Sequence, residues 1–216
     1  DLAIWKRDER APRRAGNWTI PADKKVVTYV SRGLESMRGF DIFMRMAKRV
    51  CDARDDVVFV VVGEDRVAYG GDLRFTGGKS FKQWVLAQDD YDLSRILFLG
   101  RIPPRDLAKL FSISDAHVYL TVPFVLSWSL MNALACGATV VASQTAPVCE
   151  MIQHEQNGLL FDFFDVDACV AQVQRVLDDP AEHRALGQAG QAMIHDRYTV
   201  EACRPQMLEL YERAVS

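Results

Sequence analysis

The sequence predicts an α/β fold: a Rossmann-like, doubly wound parallel sheet followed by C-terminal helices. Short apolar runs alternate with stretches of helical periodicity from Lys25 onward. One of these runs, 57–62, is apolar at every position, which is typical of a strand buried on both faces. The last third of the chain, from Pro180, shows only helical patterns. This alternation implies βαβ units with right-handed crossovers.

Each element is predicted from its own spacing and boundary residues. The strands are short apolar runs: 26–30, 57–62, 96–99, 117–120, a run beginning at Val140, and 159–161. Amphipathic stretches predict the helices: 40–50, 81–87, 105–112, 127–137, 148–153, 165–177, 180–196 and 200–214. Ligands of such sheets bind beyond the carboxyl ends of the strands. The predicted site therefore lies in the loops after residues 30, 62, 99, 120 and 143.

Composition limits the classes of function. A chain of 216 residues with 49% apolar residues is expected to form one domain, and its net charge of −3 gives no overall attraction to nucleic acid or an anionic membrane. No apolar run has the length of a membrane span. Five cysteines without CxxC spacing indicate buried, reduced thiols in a cytoplasmic protein.

The opening 23 residues contain a basic cluster and no periodicity, which predicts a solvated linker or arm. The first residue is Asp1 rather than methionine, so we expect the chain to be part of a longer protein.

The most informative stretch is 123–143, which predicts a loop, a helix, a glycine stop and a buried strand. Ser127 and Ser129 are candidate caps for the helix, and Gly137 ends it. The free N–H groups and partial positive charge of that helix start suit a phosphate.

Two arginines follow the first predicted strand. Arg32 lies beside Ser31 in the loop, and Arg38 precedes a helix. One guanidinium group can donate two hydrogen bonds to phosphate oxygens, so two arginines at this place are consistent with a diphosphate site. Solvated surface arginines are also consistent with this spacing. No GxGxxG follows the strand and no GxxxxGK[ST] occurs, which disfavours a nicotinamide dehydrogenase and a P-loop NTPase. The GGKS run at 77–80 lies in a long loop without the upstream glycine that a phosphate loop needs.

Further candidate residues follow the other strands. Gly63 begins a Gly-Glu-Asp turn whose carboxylates either bind sugar hydroxyls or cap the turn. Gly100 and Arg101 end the third strand, where a ligand base can approach the backbone. The four histidines lack metal-ligand spacing, so no metal site is expected. His117 lies in an apolar strand and is interpreted as a core residue.

Together, the ordered motifs resemble the C-terminal, donor-nucleotide-binding domain of GT-B glycosyltransferases, specifically the retaining group 1 (GT4-type) family. The resemblance covers about residues 24–214, nearly the whole chain. It is carried by the following matches: 26–32, 38–39, 98–100 with Pro104, 107–115, 132–137 with 140–143, 147–150, 157–160, 179–180, 184–187 and 197–198.

The resemblance implies roles for several of these residues. Arg32 and Arg38 match the basic pair that neutralises the diphosphate of a nucleotide sugar, and the backbone around Ser127 and Trp128 matches the helix start that holds phosphate. The family also has two glutamates eight residues apart, one near the transferred sugar and one on the ribose. Here those positions hold Phe124 and Asn132. A neutral hydrogen bond from Asn132 in place of a charged one predicts donor affinity about tenfold lower.

The resemblance therefore predicts the donor domain of a glycosyltransferase that moves a hexose to a glycan or lipid-linked acceptor. Residues 1–23 resemble an interdomain linker, and residues 24–216 resemble the donor domain. The resemblance implies that this chain lacks the N-terminal acceptor domain. The expected donor is a nucleotide diphosphate sugar with no cofactor or obligatory metal. We expect a cytoplasmic location, at most peripheral membrane contact and no nucleic-acid partner. The alternatives are a degenerate, non-catalytic nucleotide-sugar-binding or scaffold domain and, more remotely, a nucleotide-sugar epimerase of the same architecture.

Overall fold

A six-stranded parallel sheet forms the centre of the protein in the computed structural model, which describes residues 1–215. A short antiparallel ribbon, β1 (Arg14–Ala15) and β2 (Trp18–Thr19), precedes it. The sheet order is β5-β4-β3-β6-β7-β8. Its strands are β3 (Lys25–Gly33), β4 (Val57–Glu64), β5 (Ile96–Gly100), β6 (Ala116–Tyr119), β7 (Val140–Ser143) and β8 (Leu159–Phe161). The predicted doubly wound sheet is confirmed, and the strand order reverses direction at β3 and β6, where such folds bind ligands.

Eight α-helices connect and follow these strands in the described part of the chain. They are α1 (Phe40–Ala53), α2 (Phe81–Leu86), α3 (Pro104–Ile113), α4 (Trp128–Ala135), α5 (Ala146–Cys149), α6 (Val166–Asp178), α7 (Pro180–Arg197) and α8 (Val200–Val215). None of the helices in residues 1–215 is long and apolar enough to cross a bilayer.

The helix predicted at 148–153 was placed wrongly. Pro147 lies in the first turn of α5, which is only four residues long. The chain beyond it is turned by Asn157, whose side-chain oxygen accepts from the N–H of Gln153 at 2.8 Å and whose amide donates to the carbonyl of Met151 at 2.9 Å. An asparagine that bonds nearby backbone competes with the helical hydrogen-bond pattern, so the helix stops early.

Two apolar clusters cover the two faces of the sheet. Tyr29 and Phe59 point to one face and pack against Phe43 of α1, whose ring centroid lies 4.7 Å from that of Tyr29. Val58 and Val60 point to the other face, towards α3 and α4. Successive side chains of a strand alternate between faces, so an uninterrupted apolar run supplies both clusters.

The opening arm packs on the domain more closely than predicted. Ile20 is buried, and Leu2 and Trp5 are partly buried against the cluster on the α3 and α4 face. The N–H of Asp8 donates to the Ser112 hydroxyl at 3.0 Å, and Arg7 donates to the carbonyl of Gly137 at 3.2 Å. The few apolar residues among the charges account for this packing, because their burial is favourable even without periodicity.

The cysteines are all free, as predicted, but not all of them are buried. Cys51, Cys136 and Cys169 lie in the core, whereas Cys149 is exposed and Cys203 is half-buried. Burial raises the pKa of the Cys51 thiol to about 11, so this thiol stays protonated at neutral pH.

His117 of β6 is fully buried, as the apolar strand predicted. Its Nδ1 lies 3.0 Å from the hydroxyl oxygen of Thr28, and its ring packs edge-on against Phe111. Its Nε2 has no hydrogen-bond partner in the described part of the chain. Burial disfavours the charged imidazolium and lowers the pKa of His117 to about 3.

This neutral histidine predicts a loss of stability in acid. Its folded pKa lies below its unfolded value, so the unfolded chain binds the extra proton as pH falls through about 6.5. We expect the free energy of unfolding to be about 2 kcal/mol lower at pH 5 than at pH 7 from this residue alone. Urea denaturation of wild type and His117→Gln at both pH values measures the difference. The exposed His195→Gln is the control and should keep the wild-type loss. An equal loss in His117→Gln would contradict the assignment.

Candidate functional site

Two neighbouring cavities lie at the carboxyl ends of the strands. The first, called the β4–β5 cavity, has a volume of about 350 Å³ and is lined by Val30, Ser31, Arg32, Val62, Gly63, Glu64, Arg66, Arg101, Ile102 and Leu107. The second, called the α4 cavity, has about 460 Å³ and is lined by Arg32, Arg38, Tyr69, Phe124, Val125, Leu126, Ser127 and Trp128. Arg32 lines both cavities, so one elongated ligand can occupy both and contact the Arg32 guanidinium between them.

Most of the predicted site residues line these cavities. Ser31, Gly63 and Arg101 lie in the β4–β5 cavity, whereas Arg38, Ser127 and Trp128 lie in the α4 cavity. Gly100, Ser129 and Asn132 line neither.

Two glycines shape the sheet edge in different ways. A Cβ on Gly63 would lie 2.8 Å from the carbonyl oxygen of Ser31, so glycine is required there for close packing. At Gly100 a Cβ would meet nothing within 4 Å, and the residue is favoured instead by its φ of +63°.

Arg38 is a buried positive charge at the start of α1. It ends a short 3₁₀ turn before Gly39, whose φ of +62° lets the chain enter α1. The Tyr29 hydroxyl fixes the backbone by donating to the Arg38 carbonyl at 2.8 Å. The guanidinium donates to the Thr121 hydroxyl at 2.7 Å and, more weakly, to the carbonyl of Val125 at 3.4 Å.

Arg38 also lies against two aromatic rings. Its guanidinium carbon is 5.3 Å from the centroid of Tyr69 and 5.6 Å from that of Phe124. The two rings contact each other with centroids 5.5 Å apart. Cation–π attraction of this kind stabilises a guanidinium without neutralising its charge.

Arg32 is exposed and lies 5.9 Å from the ring centroid of Tyr69. Its pKa is raised, first by a hydrogen bond with Tyr69 and further by the negative charge of Glu64. Within residues 1–215, neither Arg32 nor Arg38 has a carboxylate oxygen within 4.0 Å. Two positive charges that share a cavity without a paired acid favour an anionic ligand.

The N-terminus of α4 adds a hydrogen-bond donor to the same cavity. The Ser127 hydroxyl caps the helix by accepting from the N–H of Ser129 at 3.1 Å, as predicted for Ser127. The N–H of Ser127 donates to the buried hydroxyl of Tyr119 at 2.9 Å, which fixes the start of the helix. The N–H of Trp128 has no hydrogen-bond partner in the described part of the chain. Trp128 lines the α4 cavity, so a free backbone donor and the positive end of the helix dipole both belong to its wall.

The two positions that the resemblance assigns to carboxylates have different surroundings. Phe124 is at the cavity wall, where its ring lies against Tyr69 and Arg38. Asn132 lies one turn along α4 from Trp128; it is half-buried, and its side-chain amide makes no hydrogen bond to any described residue. Asn132 is therefore available to a ligand only if that ligand extends along α4 beyond the cavity.

Sequence reasoning missed Tyr69 and the residue that holds it. Glu35, fully buried, accepts hydrogen bonds through Oε2 from the N–H groups of Ala68, Tyr69 and Gly70 at 3.0, 2.9 and 2.9 Å. Asp72 similarly accepts from the N–H of Ser36 at 2.9 Å. These bonds tie the loop after β4 to the loop after β3. A single buried acid in a loop has no periodic signal, so only the structure identifies Glu35.

No group of three or more His, Cys, Asp and Glu side chains that could hold a metal ion occurs among residues 1–215.

The sheet topology defines a Rossmann-like domain, and Arg32 and Arg38 line a cavity at the carboxyl edge of its sheet. Solved structures share the fold. Sucrose-phosphate synthase from Thermosynechococcus elongatus has a TM-score of 0.81 and 25% identity, over 100% of this chain and 51% of that chain. The Anabaena protein HepE, solved in complex with UDP-glucose, has a TM-score of 0.81 and 19% identity, over 99% of this chain and 55% of that chain. Both matches place the domain in the GT-B fold class.

Residues 12–193 match the family described as Glycosyl transferases group 1. The chain belongs to this family, which confirms the resemblance stated above. The D-inositol 3-phosphate glycosyltransferase of Segniliparus rotundus is 26% identical over 215 residues, covering 100% of this chain and 45% of that protein. The chain thus spans about half the length of the curated relatives it matches.

The contact between Glu35 and the loop predicts local protection from exchange. Glu35→Ala removes one charged acceptor from three N–H groups, so we expect amide exchange at 68–70 to accelerate by at least about tenfold. Hydrogen–deuterium exchange with mass spectrometry measures this. Asp65→Ala, an exposed acid in the same loop, is the matched control. Unchanged exchange at 68–70 in Glu35→Ala would contradict the role given to Glu35.

Proposed function

We propose that this chain is the donor-binding part of a retaining glycosyltransferase. It binds a nucleoside diphosphate sugar, and the complete protein transfers the hexose to a glycan or lipid-linked acceptor. The observation that carries the proposal is the pair Arg32 and Arg38, which share the α4 cavity with the free N–H of Trp128 and have no carboxylate partner in the described chain. The UDP-glucose complex of HepE, which has the same fold, supports it.

In this proposal the protein acts by stabilising the departing diphosphate. Breaking the bond between sugar and phosphate leaves negative charge on the diphosphate oxygens. Arg38 is held in place before the reaction by Thr121 and the two rings, so it stabilises that charge without reorganising. Arg32 and the start of α4 add positive charge at the same place. The donor therefore needs no obligatory metal or cofactor in this mechanism.

The acceptor is assigned to a part of the protein outside this chain. The relatives that the chain matches are about twice its length, which supports a second domain that completes the cleft. On its own, the chain is expected to bind donor and to be inactive in transfer. The five free cysteines support a reducing compartment, and the net charge of −3 supports neither a nucleic-acid partner nor more than peripheral membrane contact.

A second candidate function is a degenerate domain that binds a nucleotide sugar without catalysis. The observation that favours it is the aromatic ring of Phe124 against Arg38, where the family resemblance places a carboxylate. Both candidates require donor binding and differ in turnover. Transfer or donor hydrolysis by the complete protein would exclude the degenerate domain.

The arginine pair predicts which substitutions weaken donor binding. Each guanidinium supplies charged hydrogen bonds worth about 1.5–3 kcal/mol, so Arg32→Ala and Arg38→Ala should each reduce the affinity for UDP or GDP by at least about tenfold. Isothermal titration calorimetry with both nucleotides measures this, because the base is not assigned.

Two further variants make the experiment decisive. Arg45→Ala removes an exposed arginine of α1 that pairs with Asp41, and it should leave the affinity unchanged. Arg38→Lys keeps the buried charge and should bind better than Arg38→Ala if the loss is electrostatic. No binding of either nucleotide at millimolar concentration by wild type, or wild-type affinity in both alanine variants, would refute the proposal.

A further inference from the structure

We infer that the sugar bound by this site carries a methyl group, either at C6 of a deoxyhexose or in an acetamido substituent, and that Phe124 selects it. The inference rests on the proposed function and adds the class of donor. It follows from the contrast between the two cavities that meet at Arg32.

The diphosphate position separates the two ends of the donor. With its phosphates at Arg32 and Arg38, the nucleoside and the sugar must occupy different cavities. The β4–β5 cavity offers a carboxylate, Glu64, and the exposed polar edge around Ser31 and Arg101, which suit ribose hydroxyls and the edge of a base. The α4 cavity therefore takes the sugar.

The wall of the α4 cavity is predominantly apolar. Phe124, Val125 and Trp128 are 37%, 68% and 81% exposed, although each is a large apolar side chain. Exposed apolar groups that line one cavity gain free energy when a ligand covers them. A methyl group on the sugar provides that cover.

The side-chain hydrogen-bond acceptors that line the same cavity are the hydroxyl groups of Tyr69 and Ser127. Its lining includes no carboxylate and no carboxamide. The Ser127 hydroxyl is already paired with that of Ser129 at 2.8 Å. The ring of Phe124 itself offers no acceptor, so a sugar hydroxyl covered by this ring would lose water without replacing that hydrogen bond, which is unfavourable.

The wall is also held in shape before binding. Tyr69 is fixed through its backbone by Glu35, and its ring supports that of Phe124 at a centroid distance of 5.5 Å. A preformed apolar surface can distinguish two sugars that differ by one buried methyl group, with an affinity ratio on the order of tenfold.

Binding of matched donor pairs tests this inference, because the two members of a pair share a base. The pairs are GDP-mannose with GDP-6-deoxymannose, UDP-glucose with UDP-6-deoxyglucose, and UDP-glucose with UDP-N-acetylglucosamine. Calorimetry on wild type should show the methyl-bearing member of at least one pair binding about tenfold more tightly. The first two pairs identify a C6 methyl group, and the third identifies an acetamido group.

Phe124→Gln supplies the decisive variant. It replaces the ring with a carboxamide that can hydrogen-bond a hydroxyl, so the affinity ratio of that pair should fall to about one. Phe164→Gln, a change at an exposed phenylalanine outside both cavities, should keep the wild-type ratio.

Three results would overturn the inference. Equal or tighter binding of the hydroxylated member of every pair in wild type would exclude a methyl-selective wall. If Phe124→Gln keeps the wild-type affinity ratio between the two members of a pair, Phe124 is not the source of the discrimination. If the affinity of this variant for UDP or GDP alone also falls, the α4 cavity binds the base instead of the sugar. Binding of free UDP or GDP with none of the pairs discriminated refutes only this inference, whereas no nucleotide binding at all refutes the proposed function as well.

Discussion

The arrangement of the site depends on a buried arginine, Arg38, that has no acidic partner among residues 1–215. Taking a charged group out of water costs several kcal/mol unless other groups replace the lost hydration. Around Arg38 those groups are the Thr121 hydroxyl, the carbonyl of Val125 and the rings of Tyr69 and Phe124. They come from two loops, the one between β6 and α4 and the one after β4, so the cost of burying one charge is met only when both loops are in place. The charge itself is still available to an anion.

The loop between β6 and α4 is fixed near both of its ends by contacts that originate in the sheet. Thr121 follows β6, and its N–H donates to the hydroxyl of Ser143 at the end of β7 at 3.0 Å. The loop before α4 is held by Tyr119, whose hydroxyl accepts from the N–H of Ser127. Since parallel strands all end at one edge, these short contacts bring β3, β6, β7 and α4 together around a single point. The fold thus turns a sequence separation of more than 80 residues, between Arg38 and Thr121, into a direct hydrogen bond.

Much of this arrangement was predictable from the sequence, and the reasons for the exceptions are physical. The sheet follows from local periodicity, and Arg32, Arg38 and Ser127 follow from their places at the end of a strand or before a helix. Tyr69 and Glu35 were not predictable, because a buried acid bonded to a distant loop leaves no pattern in either segment. The early end of α5 was likewise not predictable, because it depends on a hydrogen bond from the N–H of Gln153 to the side chain of Asn157, four residues later in the chain. The packing of Ile20 and Trp5 was missed because isolated apolar residues among charges have no periodic signal.

In the proposed function, Arg32, Arg38 and the start of α4 bind one diphosphate. A crystal structure of this chain with UDP or GDP, whichever calorimetry shows to bind, tests it most directly. We expect phosphate oxygens within hydrogen-bond distance of both guanidinium groups and of the N–H of Trp128, with the nucleoside in the β4–β5 cavity. A diphosphate bound elsewhere on the domain, or bound in either cavity without contact to Arg32 and Arg38, would contradict it.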